Sequence, residues 1–125
     1  MERISSDAVP AANGHYAQAI RHGGVLYVSG QLPLDPATRE PPAGFSAQAE
    51  LVLARLAELL AAGGSGLDQV LQLRIYIVGV EHWPALDRAV AERFGTHFPA
   101  RAVVPVPALH YGCLVELEAI ASAPG

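Results

Sequence analysis

The chain has 125 residues, of which 51% are hydrophobic and 16% are charged, and its formal net charge is −4. A chain of this length is expected to form one domain, residues 1–125, with its own hydrophobic core. The charged fraction is below the roughly 25% typical of soluble domains, which predicts that partner subunits cover part of the surface. The eight arginines form no basic block, so the sequence argues against nucleic acid as a partner.

Several residue types that catalysis often uses are missing or isolated. The chain contains no lysine, which excludes a lysine Schiff base and the usual anchoring of pyridoxal phosphate. The five histidines stand far apart and Cys113 is the single cysteine, so we expect no metal and no disulfide. The segment MERISSDAVP lacks an apolar stretch and no long apolar run follows, so we expect no signal peptide, no membrane contact and a cytoplasmic location.

The first half of the chain predicts a hairpin, a loop and a helix. AQAIRH (17–22) and VLYVSG (25–30) flank two glycines, which supply the positive φ of a two-residue hairpin turn. PLDPATREPPAG (33–44) contains four prolines and predicts a loop. AQAELVLARLAELLAA (47–62) has apolar residues at helical spacing, with Ser46 as the predicted N-cap. We interpret the glycines of AAGGSGLD as the helix end, because a phosphate-binding loop would need a lysine.

The second half predicts three strands and a second helix. QVLQLRIYIV (69–78) alternates apolar and polar residues, and RAVVPVP (101–107) and CLVELEAIA (113–121) predict two further strands. A helix is expected from Pro84 to Gly95. The order ββαβαββ predicts an α+β two-layer sandwich, in which one mixed β-sheet carries two helices on one face. The opposite face of the sheet is not fully polar. Three subunits that packed around these faces would remove the apolar residues from water.

Arg101 is the only charged residue in FPARAVVPVPAL (98–109). A guanidinium keeps its proton at any ordinary pH, so a buried or half-buried arginine needs an anion. That anion is either a carboxylate of this chain, with Glu116 and Glu118 as the candidates, or the carboxylate of a bound ligand. Glu116 and Glu118 alternate with apolar residues and are expected on the same face of their strand.

Five segments in order resemble the YjgF/YER057c/UK114 family, also called the RidA (reactive intermediate deaminase A) family. They are NGHYAQAI, YVSGQLPLDPATRE, QAELVLARLAELLAAGG, FPAR and VELEAIA. The resemblance implies a chorismate-mutase-like fold and a homotrimer with clefts between subunits. It also implies hydrolysis of short-lived enamines and imines, such as 2-aminoacrylate, to a 2-keto acid and ammonia, without metal or organic cofactor.

The resemblance assigns roles to five residues. Arg101 would bind the substrate carboxylate through its two-pronged fork. Glu116 would hold and partly deprotonate the attacking water, Tyr16 or Ser29 would pass or orient a proton, and the backbone around Gly30 would position the water. Each residue also has a structural interpretation: an ion pair or solvent-facing charge for Arg101 and Glu116, a core edge for Tyr16 and a turn for Ser29.

The sequence departs from the family pattern at five positions, which are His15, Arg55, Asp87, Val103 and His110. An aspartate at 87 would repel a carboxylate substrate if it pointed into the cleft. The single cysteine is not at the family's cysteine position, so thiol chemistry is not transferred to it. His15 and His110 are not included in the predicted catalytic set.

Two alternative functions stay open from the sequence. One is a different small-carboxylate enzyme on the same scaffold, such as an aminomuconate-like deaminase or a chorismate-type enzyme. The other is a non-catalytic module that binds small carboxylates or a regulatory partner. Family members have also been labelled endoribonucleases, and the acidic charge with scattered arginines argues against that activity here.

Overall fold

A computed structural model describes residues 1–124 as a six-stranded sheet that carries two helices. The strand order is β1-β2-β3-β6-β4-β5; β4 and β5 are parallel and all other neighbours are antiparallel. The elements are β1 Glu2–Ile4, β2 Ala19–His22, β3 Val25–Gln31, α1 Phe45–Ala62, β4 Val70–Ile77, α2 Trp83–Phe94, β5 Ala100–Pro105 and β6 Val115–Ser122. The predicted α+β two-layer fold with a mixed sheet is confirmed.

The predicted hairpin forms as expected between β2 and β3. His22 pairs with Val25, and Gly23 and Gly24 between them have φ of 59° and 76°. Both turn residues therefore occupy a conformation that glycine adopts without a steric penalty.

Both helices lie where the sequence places them, but the predicted Ser46 cap is wrong. Helix α1 begins at Phe45, and its N-cap is Gly44, which has φ 89° and makes no side-chain capping bond. The Gly44 carbonyl already accepts a hydrogen bond from the Gln48 N–H, so Ser46 lies inside the first turn. At the other end, α1 stops at Gly63 as predicted.

Strand β1 was not predicted. It is a three-residue edge strand that pairs Arg3 with Ile20, and three residues are too few to show an alternating pattern. At the opposite edge, β5 ends at Pro105, earlier than the predicted 107, although the Val106 N–H still donates to the Ile77 carbonyl of β4.

The two faces of the sheet differ in composition. On the helix-covered face, Leu73, Ile75 and Ile77 of β4 pack with the buried residues of β6. On the other face, the Tyr76 hydroxyl donates to Glu118, and the Arg74 guanidinium lies 3.9 Å from that carboxylate. The hydrogen bond to Glu118 raises the pKa of Tyr76. This second face is called the open face below.

Across residues 1–124, neither helix combines the length and hydrophobicity needed to cross a lipid bilayer.

Candidate active site

Four of the five predicted site residues meet in one open pocket on the open face, where β3 ends and β6 begins. The pocket has a volume of about 370 Å³. Its lining residues are Asn13, Tyr16, Ser29, Gly30, Leu32, Arg39, His110, Tyr111 and Glu116. Arg101 is the predicted site residue that does not line it.

The Glu116 carboxylate packs directly against Gly30. The pairing of β3 with β6 shifts register between Val28 and Gln31, and the Glu116 carboxylate fills the space opposite Gly30. A Cβ atom at position 30 would overlap a Glu116 carboxylate oxygen. The absence of a side chain at Gly30 therefore lets the carboxylate lie against the backbone.

The environment of Glu116 favours its protonated form. Its side chain is half-buried, and this burial raises the pKa of the carboxyl group. The charge of His110 lowers the pKa of Glu116 and that of Glu118 raises it, but both effects are smaller than that of burial. A carboxyl with a raised pKa is suited to exchanging protons nearer to neutral pH.

The two hydroxyl groups of the pocket differ in what they can donate. Ser29 Oγ donates its proton to the Ala17 carbonyl at 2.6 Å, so towards the pocket it can only accept. The Tyr16 hydroxyl accepts a hydrogen bond from the Asn13 N–H at 3.2 Å, and its own proton stays available. Tyr16 is therefore the better proton donor of the predicted pair.

Three polar residues that were not predicted from the sequence, Asn13, Arg39 and Tyr111, line the other side of the pocket. The Asn13 side-chain amide donates to the Tyr111 hydroxyl at 3.1 Å, and the Arg39 guanidinium carbon lies 5.4 Å from the Tyr111 ring centroid. Hydrogen bonds from Arg39 and Asn13, together with the Arg39 charge, lower the pKa of Tyr111. The Asp35 carboxylate closes the preceding turn by accepting the N–H groups of Ala37 and Thr38, which brings Arg39 to the pocket.

Arg101 lies on the other side of the sheet. It is opposite Leu73 in the β4–β5 pair and therefore faces the helices, whereas Glu116 is opposite Tyr76 and belongs to the open face. Its Nη1 donates to Asp87 Oδ1 of α2 at 2.8 Å. An intrachain pair of Arg101 with Glu116 or Glu118, the alternative that the sequence left open, does not form, because both glutamates lie on the opposite face.

Cys113 and Arg55, one of the residues that depart from the family pattern, do not line the pocket. Cys113 is buried, and burial together with the Glu116 charge raises the pKa of its thiol to about 11. The Arg55 Nε is buried in α1 without a hydrogen-bond partner. Within the described part of the chain, no group of three or more His, Cys, Asp or Glu residues is arranged to hold a metal ion.

Comparison with known proteins identifies the family. The sequence profile of the family described as endoribonuclease L-PSP matches residues 6–123. The chain belongs to the endoribonuclease L-PSP family. This assignment confirms the resemblance to YjgF and RidA proteins found in the sequence.

Relatives within the L-PSP family align over nearly the whole chain. The RutC family protein y4sK of Sinorhizobium fredii is 39% identical, and the alignment covers 98% of both chains. A 2-iminobutanoate/2-iminopropanoate deaminase of Capra hircus is 36% identical over 94% of this chain and 87% of its own. The crystal structure of RidA from the Antarctic bacterium Psychrobacter sp. PAMC 21119 superposes with a TM-score of 0.94 at 36% identity, covering 98% of this chain and 99% of that one.

Proposed function

We propose that this chain is a hydrolytic deaminase of reactive 2-enamino and 2-imino acids, working in clefts between the subunits of a homotrimer. The observation that carries the proposal is the half-buried Glu116 carboxyl, held against Gly30 in a pocket that also contains Tyr16 and Ser29. The 36% identity to a protein named 2-iminobutanoate/2-iminopropanoate deaminase supports the same chemistry.

The reaction needs proton transfers and one water molecule. Tyr16 delivers a proton to the enamine carbon, which converts the carbon–carbon double bond into an iminium at the neighbouring carbon. Water then adds to the iminium carbon while Glu116 accepts its proton and Ser29 Oγ accepts a hydrogen bond that orients it. The resulting amino alcohol releases ammonia as the carbonyl forms. The proton taken up by Glu116 goes to the leaving nitrogen, and the proton of the alcohol oxygen returns to the Tyr16 phenolate.

Arg101 of a second copy would bind the substrate carboxylate. Within one chain, Arg101 and Glu116 face opposite sides of the sheet, so a site that uses both must be shared between subunits. Asp87 engages one Nη of Arg101, and a guanidinium has five N–H donors, so further donors are left for a ligand. The Asp87 charge reduces the attraction of Arg101 for an anion without blocking it.

RNA cleavage, which the family description names, fits this chain less well. The chain carries a formal net charge of −4, and an acidic protein repels the phosphate backbone that supplies most nucleic-acid affinity.

The proposal is tested by ammonia release from freshly generated 2-aminoacrylate, comparing Glu116→Gln with Glu118→Gln. Both variants remove one carboxylate from the same face of β6, but Glu116 lines the pocket and Glu118 pairs with Tyr76 and Arg74. We expect Glu116→Gln to lower kcat/KM by about 10²- to 10⁴-fold, the usual effect of losing a general base, and Glu118→Gln to stay within about threefold. Equal activities in the two variants would sink the proposed role of Glu116.

A further inference from the structure

Arg39 and Tyr111 share an unusual backbone conformation and contact each other. Among the non-glycine residues of the described chain, they are the two with positive φ, at 59° and 60°. They come from loops more than seventy positions apart, and the Arg39 guanidinium packs over the Tyr111 ring at the Glu116 pocket. Strained backbone of this kind persists where the surroundings hold it, and it concentrates at ligand sites.

In the part of the chain that the structure describes, the Arg39 charge has no anionic partner. Across residues 1–124, the ion pairs join Arg21 to Glu2, Arg74 to Glu118, Arg93 to Glu50 and Arg101 to Asp87, and no carboxylate pairs with Arg39. Its one direct hydrogen bond to the backbone is a long one, from Nη1 to the Ala11 carbonyl at 3.5 Å. A guanidinium held in a pocket without a carboxylate is available to an anionic ligand.

The neighbouring groups add to this anion site. The Tyr111 hydroxyl accepts the Asn13 amide at 3.1 Å, so its own proton is free to point at a bound oxyanion. Arg39 and Tyr111 therefore present a charge and an O–H donor to the same pocket that contains Glu116. Arg101 cannot serve this part of the pocket from within the chain, because it faces the helices.

We propose that Arg39 and Tyr111 bind a second carboxylate of the substrate, so that this chain acts on 2-imino or 2-enamino dicarboxylic acids. The dicarboxylate substrate rests on the proposed deaminase function. The anion site is argued from the residues of the pocket and does not depend on that function. Arg101 of a second copy would hold the carboxylate next to the imine, and Arg39 would hold the carboxylate at the other end. A pocket of about 370 Å³ has room for a four- or five-carbon acid.

Binding of stable keto acids tests the anion site without requiring turnover. Calorimetry would compare 2-oxoglutarate with 2-oxopentanoate, which has the same carbon chain without the second carboxylate. Arg39→Gly suits the observed φ of 59°, Arg39→Gln removes the charge with the strain kept, and Arg93→Gln removes a charge on the helix side as control. We expect both Arg39 variants to weaken 2-oxoglutarate binding by roughly 10- to 150-fold, with 2-oxopentanoate and the control unchanged.

Turnover separates this inference from the proposed function. Imines of glutamate and of norvaline, generated in place by an amino-acid oxidase, would be compared by ammonia release. We expect the parent to prefer the glutamate imine, and Arg39→Gly to lose that preference while it still deaminates the norvaline imine.

Three results have distinct meanings. If the parent and Arg39→Gly accelerate hydrolysis of both imines equally over the uncatalysed rate, the dicarboxylate inference is overturned and the deaminase stands. If Arg39→Gly weakens both keto acids equally, Arg39 binds the shared carboxylate and the inference is again overturned. Arg39-dependent binding of 2-oxoglutarate, with ammonia release from both imines no faster than without protein, would confirm the anion site and contradict the proposed deaminase.

Discussion

At the scale of single residues, the chemistry of the pocket depends on how deeply its carboxylate is buried. Burial raises the pKa of Glu116. Glu118 is on the same strand face, but it lies beside Arg74 and Tyr76 and interacts with both. The alternation of β6 predicted correctly that both glutamates share a face. It could not predict which of them lies against Gly30, because that depends on the register shift in the neighbouring strand β3.

The raised pKa of Glu116 predicts the acid limb of the pH profile. Glu116 must be ionised to accept a proton from water, so kcat/KM should fall as pH drops through its raised pKa. The fall is therefore expected at a pH above 4.5, the ordinary value for a glutamate. Because the Glu118 charge raises the pKa of Glu116, Glu118→Gln should move the limb to lower pH. A limb at or below the ordinary value would contradict the assignment of Glu116 as the base.

A methyl group at position 30 should affect activity more than stability. In Gly30→Ala the new Cβ overlaps the end of the Glu116 side chain, which can rotate away, so the melting temperature should change little. The displaced carboxylate would no longer meet the water, and a misplacement of about 1 Å can cost roughly 100-fold in rate. Ammonia-release kinetics and thermal melting of the same preparation check this. Parental activity in Gly30→Ala would show that the contact with Glu116 is not needed.

Arg39 shows what the sequence could not reveal about the pocket. The sequence places Arg39 in the predicted proline-rich loop 33–44 and assigns it no role in the site. A positive φ at Arg39 is a property of the folded loop, fixed by the Asp35 turn and by contact with Tyr111.

At the scale of elements, long periodic segments were predicted well and short or edge segments were not. Helix α1 and strand β4 carry enough residues for their periods to be read directly. Strand β1 has three residues, and the helix cap depends on the φ of Gly44, so neither was predictable. The partner of Arg101 was missed because it depends on which face β5 presents, and β5 pairs with β4 alone.

The ion pair between Arg101 of β5 and Asp87 of α2 should weaken substrate binding more than it stabilises the fold. The Arg101 and Asp87 side chains are 25% and 46% exposed, and pairs of this kind typically contribute about 0.2–1 kcal/mol. Asp87→Asn should therefore change the free energy of unfolding by about 1 kcal/mol or less. It should also lower the KM for 2-aminoacrylate several-fold, because Arg101 is released to the substrate.

Arg101→Lys is the matched test of geometry at the same position. It keeps the charge but loses the planar fork, so kcat/KM should fall roughly 10- to 150-fold with the fold intact. A KM that rises in Asp87→Asn would indicate that Asp87 helps to position Arg101 instead of restraining it.

At the scale of the whole molecule, the single chain leaves apolar groups exposed at the edge that carries Arg101. Phe98 is 87% exposed, and Val104 of β5 is 38% exposed on the open face beside Tyr76. Such residues at a strand edge are typical of surfaces that pack against other subunits. We expect three copies to bury these residues at an interface that places Arg101 of one copy next to the pocket of another.

A shared site predicts that two inactive variants restore each other. Arg101→Ala keeps Glu116 and Glu116→Gln keeps Arg101, so a mixed trimer contains one cleft that receives an intact residue from each of two subunits. Random mixing in equal amounts puts an intact cleft at about a quarter of all sites, and ammonia release should recover to about that fraction of the parental rate. Light scattering of each variant should first give about three times the 13.1 kDa chain mass. If co-expressed or co-refolded mixtures stay as inactive as the separate variants, then Arg101 and Glu116 do not act across a subunit boundary. If the chain is a monomer that nevertheless deaminates 2-aminoacrylate, the pocket of one chain suffices and Arg39 is its remaining carboxylate anchor.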